Sequence, residues 1–440
     1  MTDTDRDKYC VKRIVEFYQR QPTDLAEYFY ASWLIRNDDP SAESMAEIAS
    51  QQHISPKYLL AVWSELENTQ TRLGPSARLR EMWLTMGYRS PSQQTFNDQE
   101  IRLLCAAMRD YVLAVRQRFE SHFDNLDVRG IHKGSQAFVL WKNKQYAAHR
   151  RLADFGFLEA VSIAEDAGDA SSSDALFDLP NDDNFDQFKV DCQQFCAVFP
   201  DAFYISERGR DYLDTPKAEQ EKGRLLSAGF HSMMGYFRDD QPLMELILDE
   251  TEQETLNGMW QELDFFAAAP QRQYQGFLWF ERTDSGFMRD AEFDFARPED
   301  KAALSTPLIE QLADAYSAKA IRNGGEGVAL DAIHDFFVEI DDQIRWVEQT
   351  RLAAEPMQID ALVALAQRAT RRPLLPDEEH ELRDFYQRLR SDYSLTHEEA
   401  IQDALVSILM SPEFLYRVDL ISDSDQARPL SDYELASRLS

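Results

Sequence analysis

Hydrophobic positions along this chain recur at intervals of three and four residues over most of its length, the period of helices that bury one face. The clearest stripe is Ile401, Leu405, Ile408 and Leu409, preceded by Thr396 and Glu399, the residue types and spacing of a capping box. Ser55 and Pro56 open another helix over about 57–67, because serine can accept orphan amide hydrogens and proline at the first helical position has none to satisfy. The same pair returns at Ser411 and Pro412, before Glu413, Phe414, Leu415 and Tyr416. The period predicts further helices over about 7–20, 23–36, 41–52, 97–121, 217–237, 251–268, 303–320, 328–352, 357–370 and 376–390.

The pattern weakens over 126–215, where Ala137–Trp141 and Ala202–Ile205 read as short strands in irregular chain. Between Leu152 and Phe188 there is no lysine or arginine, and aspartates and glutamates gather beside Ser171, Ser172 and Ser173. An acidic loop is predicted there; the spacing fits no EF-hand calcium loop. The predicted class is mainly α, with a small irregular, β-containing insert near 126–215. The organisation expected is an N-terminal helical region (1–125), a mixed region (126–215) with an acidic loop over 152–188, a central helical region (216–355), a helical domain (356–420), and the start of another domain (428–440).

Composition narrows the function classes. Hydrophobic residues make up 44% and aromatics 12%, enough to bury several cores. The formal charge of -32 repels phosphate backbones and anionic lipid, so nucleic acid is an unfavoured partner. No run of about 18 uncharged apolar residues is present, and membrane insertion is not expected. The start lacks the basic and apolar regions of a signal peptide, so the chain as written is expected to be neither inserted nor exported. At the far end, Ser431 and Glu434 form another capping box with barely two turns after it, and the expectation is that the packing partners of this helix lie beyond the residues given.

Several of these residues resemble a known family. Arg371-Arg372-Pro373-Leu374, then Phe385-Tyr386 and the run from Ala404 to Arg417, resemble a short helical domain of unknown function found in large planctomycete proteins. The run Leu430–Ser440 is similar to the opening of the domain that normally follows it, and the stretches Phe195–Arg210 and Gly223–Pro242 look like the region upstream. The resemblance implies an exported, periplasmic protein associated with a c-type cytochrome domain. Its partners would be other domains of the same protein or a redox protein. This chain has no Cys-x-x-Cys-His haem-attachment motif, so no cofactor is expected in it, and any haem c either sits in another part of the full protein or is absent altogether. The family offers no catalytic residues to carry over.

The candidate chemistry is sparse. Cys192 and Cys196 stand four apart, on one face if helical, and make half of a zinc site at most; a buried core pair is the simpler reading and a redox pair the alternative. His231 lies among Leu226, Phe230, Met233, Met234 and Phe237, an apolar face in which it reads as core rather than as a haem ligand. Asp239 and Asp240 follow Arg238 at a predicted helix end, as capping charge or as carboxylates beside His231. Lys142, Lys144, His149, Arg150 and Arg151 form a basic cluster whose expected partners are internal carboxylates, those of the acidic loop nearest in sequence. Glu281 follows Trp279 and Phe280, a combination from which sugar sites are also built. Two functions follow: a non-catalytic scaffold or partner surface in a cytochrome-linked assembly, or an enzyme domain acting on an extracellular polymer such as polysaccharide, with its site near His231, Asp239 and Glu281.

Overall fold

The computed structural model describes residues 3–37, 41–70, 73–87, 98–121, 128–156, 176–178, 180, 182–205, 236–416 and 429–439. It is mainly α, and no strand occurs among the described residues. The chain divides into two compact units, Met1–Ile344 and Arg345–Ser440.

In the first unit, helices α1 (Asp3–Gln19), α2 (Leu25–Asn37), α3 (Ala42–Gln52), α4 (Pro56–Glu67), α5 (Gly74–Thr85) and α6 (Asp98–Arg118) follow one another. Helix α2 packs on α3, α4 and α6, and α5 on α6. Ser55 caps α4 as its sequence predicts, accepting from the Tyr58 amide. Its hydroxyl also donates to the Ile247 carbonyl at 2.6 Å, so one side chain both starts a helix and ties it to a distant segment. After α7 (Gln136–His149) and α8 (Phe185–Val198), α9 (Glu250–Ala267) returns to lie against α1. Two aromatic-rich cores result. The first includes Tyr28, Phe29, Tyr58, Trp83, Phe195 and Trp260. The second is built around α10 (Ala269–Thr283), α11 (Thr306–Arg322) and the first part of α12 (Val328–Thr370), with Phe277, Tyr316, Phe336 and Phe337 at its centre. Gly130 has φ +85° and lies against Gly325; a β-carbon there would come 2.4 Å from the Gly325 Cα.

Two predicted strands are absent. Ala137–Trp141 lies within α7, because a short apolar run without alternation fits a helix as well as a strand, and here Phe138, Lys142 and Tyr146 share one buried face. Residues 202–205 are irregular chain held by isolated backbone hydrogen bonds, from the Ile205 amide to the Asp239 carbonyl (2.8 Å) and from the Leu243 amide to the Phe203 carbonyl (3.1 Å). The separate helices predicted over 328–352 and 357–370 are one helix, α12, with Pro356 inside it. Residues 217–235 of the predicted helix 217–237 and most of the acidic loop fall outside the described residues, and Tyr236 and Phe237 are irregular chain.

The second unit contains the rest of α12, then α13 (Pro376–Ser391), α14 (His397–Met410), α15 (Pro412–Leu415) and α16 (Asp432–Leu439). Leu362, Ala366, Ala369, Ala404 and Ile408 form its core, with a smaller cluster at Tyr386, Leu389 and Ala400. The Thr396–Glu399 capping box forms as predicted, as does the Ser411 cap. The Arg-Arg-Pro-Leu motif has a structural reason. Arg371 takes the left-handed conformation (φ 59°) that ends α12, with the Arg372 amide bonded to the Gln367 carbonyl and the Arg371 amide to that of Arg368. The Arg372 guanidinium then grips Glu378 through two 2.6 Å hydrogen bonds. Tyr433 and Leu435 on α16 are exposed.

Candidate functional site

The residues singled out in the sequence fall into separate surroundings. Cys192 and Cys196 are fully buried in the first core and free. Burial raises the Cys192 thiol's pKa, and raises that of Cys196 to about 11 although Arg116 pulls it down. Thiols held protonated in this way are poor nucleophiles. His231 lies outside the described residues. Among those that are described, no group of three His, Cys, Asp or Glu side chains is arranged to hold a metal ion.

Asp239 and Asp240 are adjacent in sequence but serve different partners. Arg150, buried at the end of α7, grips Asp239 by two points (Nε–Oδ1 3.2 Å, Nη2–Oδ2 2.6 Å) and also reaches Asp201 (2.9 Å). Burial pushes the Asp239 carboxyl up and the guanidinium pulls it back. A guanidinium does not shed its proton and both fork hydrogen bonds are made, so the pair is ionic. Asp240 instead accepts from the Tyr18 hydroxyl (2.8 Å) and from Arg238 Nε (2.8 Å), while the Trp260 indole donates to Tyr18 (3.1 Å). Arg238, expected to face a helix dipole, is thus tied to Asp240 and to Asn257.

Among the described residues the basic cluster is paired with carboxylates brought in from farther along the chain: Lys144 binds Glu339, Arg151 binds Glu245, and Arg150 binds Asp201 and Asp239.

Glu281 sits on α10 with no exposed surface. Ser285 donates to its Oε2 at 2.6 Å, and Ser135 and Tyr316 stand close by; burial raises its pKa against the pull of these hydroxyls. Its surroundings are the second core, where the hydroxyls of Ser285, Ser135 and Tyr316 and the charge of His132 all act on it.

Two arrangements were not legible in the sequence. In the second unit His397 accepts from the Tyr386 hydroxyl at Nδ1 (2.7 Å) and bonds the Gln358 amide oxygen through Nε2 (2.6 Å), with Arg390 donating to nearby Glu355 (3.4 Å). In the first unit a cavity of about 440 Å³ opens between α7, α9, α10 and the start of α12, and Asp264 lines it. Both assemble from helices well separated in sequence, without a local motif.

The most exposed apolar side chains of the second unit include a strip on α14 and α15. Val406, Leu409 and Met410 turn away from the buried Ala404 and Ile408, and Leu415 and Tyr416 follow. Leu409, predicted to complete the inward stripe, therefore lies on the outer face. Residues 360–419 match a family model described as a protein of unknown function (DUF1595, PSD5). No curated protein and no solved structure matches the chain.

Proposed function

We propose that the chain is a non-catalytic module of a larger exported protein in a c-type-cytochrome-linked assembly, and that its second unit presents the surface on which a redox partner or a neighbouring domain of the same protein docks. The observation that carries this reading is the apolar strip Val406, Leu409, Met410, Leu415 and Tyr416, each at least 46% exposed. Apolar surface grouped in this way marks interaction sites, and methionine and tyrosine are enriched in them. The strip falls within or beside the matched residues 360–419, and the resemblance of residues 371–417 and 430–440 supports the redox and periplasmic setting. Haem c would be carried by the partner or by another part of the same protein. The formal charge of -32 supports a protein partner over nucleic acid, and no described helix is long and apolar enough to cross a membrane.

The other expectation, an enzyme acting on an extracellular polymer, gains no support from the geometry: Asp239 is committed to Arg150, and Glu281 lies in a core among hydroxyls.

The test is to express the gene product with its natural flanking sequence in a bacterium that matures c-type cytochromes, alongside Val406→Glu/Met410→Glu. The wild type should be exported and co-purify with covalent haem, and the double variant should keep its circular dichroism but lose the haem protein. A cytosolic, haem-free product, or a double variant that assembles normally, would rule the reading out.

A further inference from the structure

The cavity of the first unit has walls of a particular kind. Trp141 from α7, Trp260 from α9 and Phe336 from α12 contribute aromatic surface. Among the described residues two cations line it, and both are already neutralised: Lys144 by Glu339, and Arg238 by Asp240. The carboxylates are not balanced in the same way. Asp264 and Asp335 both line the space and make no hydrogen bond or ion pair among the described residues. Tyr236 also lines the cavity, and its buried hydroxyl makes no hydrogen bond among the described residues.

Unpaired carboxylate beside aromatic surface in a partly closed space is the chemistry that holds an organic cation, since the aromatic face attracts positive charge and the carboxylate supplies its counter-charge. We infer that this cavity binds a small organic cation, an amine or quaternary ammonium group on a short carbon frame, with Asp264 as its counter-charge and Trp141, Trp260 and Phe336 as its aromatic wall. Inorganic cations fit less well, because no cluster of three ligating side chains is present among the described residues.

The state of Asp264 agrees. Burial raises its pKa to about 7, with no positive neighbour among the described residues to offset the cost of charge. The charged groups that line the same cavity are Lys144 on α7, Arg238 before α9, and Asp335 and Glu339 on α12. Lys144 and Arg238 are spent on other carboxylates. A bound ammonium group would supply the missing charge and keep Asp264 ionised, so affinity should fall as pH drops through about 7.

The experiment titrates the full chain with choline and, separately, with its neutral isostere 3,3-dimethylbutan-1-ol, reading tryptophan fluorescence at constant ionic strength near pH 8. Choline should give a saturable change and the alcohol none. Asp264→Asn should weaken choline binding by about tenfold or more, and Asp335→Asn by less. Lowering the pH to about 5.5 should weaken wild-type binding while leaving Asp264→Asn flat. Equal response to choline and the alcohol, an unaffected Asp264→Asn, or no saturable response to choline would overturn the proposal. Asp264 makes no hydrogen bond or ion pair among the described residues, so its asparagine variant should keep the native circular dichroism. Should it not fold, the isostere comparison and the wild-type pH profile decide.

Discussion

Arg150 and Asp239 form a two-point ion pair closed off from solvent, their side chains 2% and 1% exposed. Removing one partner leaves the other charged in a place water does not reach. Asp239→Ala should therefore lower stability by about 3–5 kcal/mol, although Asp201 still faces the guanidinium. Asp201→Asn, at a more open carboxylate, should cost about 1 kcal/mol. Denaturant unfolding of both variants checks the order; equal losses would mean that burial is not the source of the difference.

Arg371 ends α12 with φ 59°, a conformation that costs a side chain with a β-carbon about 1 kcal/mol and costs glycine little. Arg371→Gly should stabilise the second unit by about 0.5–1 kcal/mol, whereas Arg372→Ala, which breaks the two-point grip on Glu378, should destabilise it by about 1 kcal/mol. Urea midpoints of the two variants, moving in opposite directions, are the expected result.

How much of this was legible in the sequence depends on how far each cause reaches along the chain. The caps at Ser55, Thr396 and Ser411 could be read because both partners lie within four residues. Helix α7 was misread because Ala137–Trp141 is apolar on every side, leaving no period to decide. Helix α10 was not predicted, since its buried face includes Gln273 and Glu281 and so breaks the apolar pattern. The charge at Asp239 and Asp240 was visible, but Arg150 and Tyr18 as their partners were not. Asp264 carried no local signal at all, because what sets it apart is the absence of a counter-charge among the described residues, a property of three-dimensional surroundings.

His397 should make the second unit sensitive to acid. Burial lowers its pKa below the usual 6.5, with Glu355 opposing and Arg390 adding to the effect. The unfolded chain therefore takes up the proton first, so the histidine's contribution is present above about pH 6.5 and is lost as pH falls toward its lower folded value. Thermal unfolding between about pH 7.5 and pH 5 should show this decline, and His397→Gln should flatten it. A wild-type profile already flat over that range would contradict the assignment.

The four cysteines should be silent toward thiol reagents in the folded chain. All four are buried and free, and burial raises the Cys10 and Cys196 pKa values to about 11 and that of Cys105 to about 12. An aromatic disulfide reagent near pH 8 should label none until denaturant is added and then label all four. Rapid labelling of Cys192 or Cys196 in the native state would revive the redox reading.

The touch between Gly130 and Gly325 bears on how the first unit assembles. That junction joins points far apart along the polypeptide, so the intervening chain must lose its freedom before the junction returns any stability. A β-carbon on Gly130 would force the two stretches of backbone apart, and one on Gly325 would meet the Ala320 carbonyl near the end of α11 at 2.8 Å. The seam therefore works as a gauge of completed assembly: it closes only when both sides have already reached their final shapes.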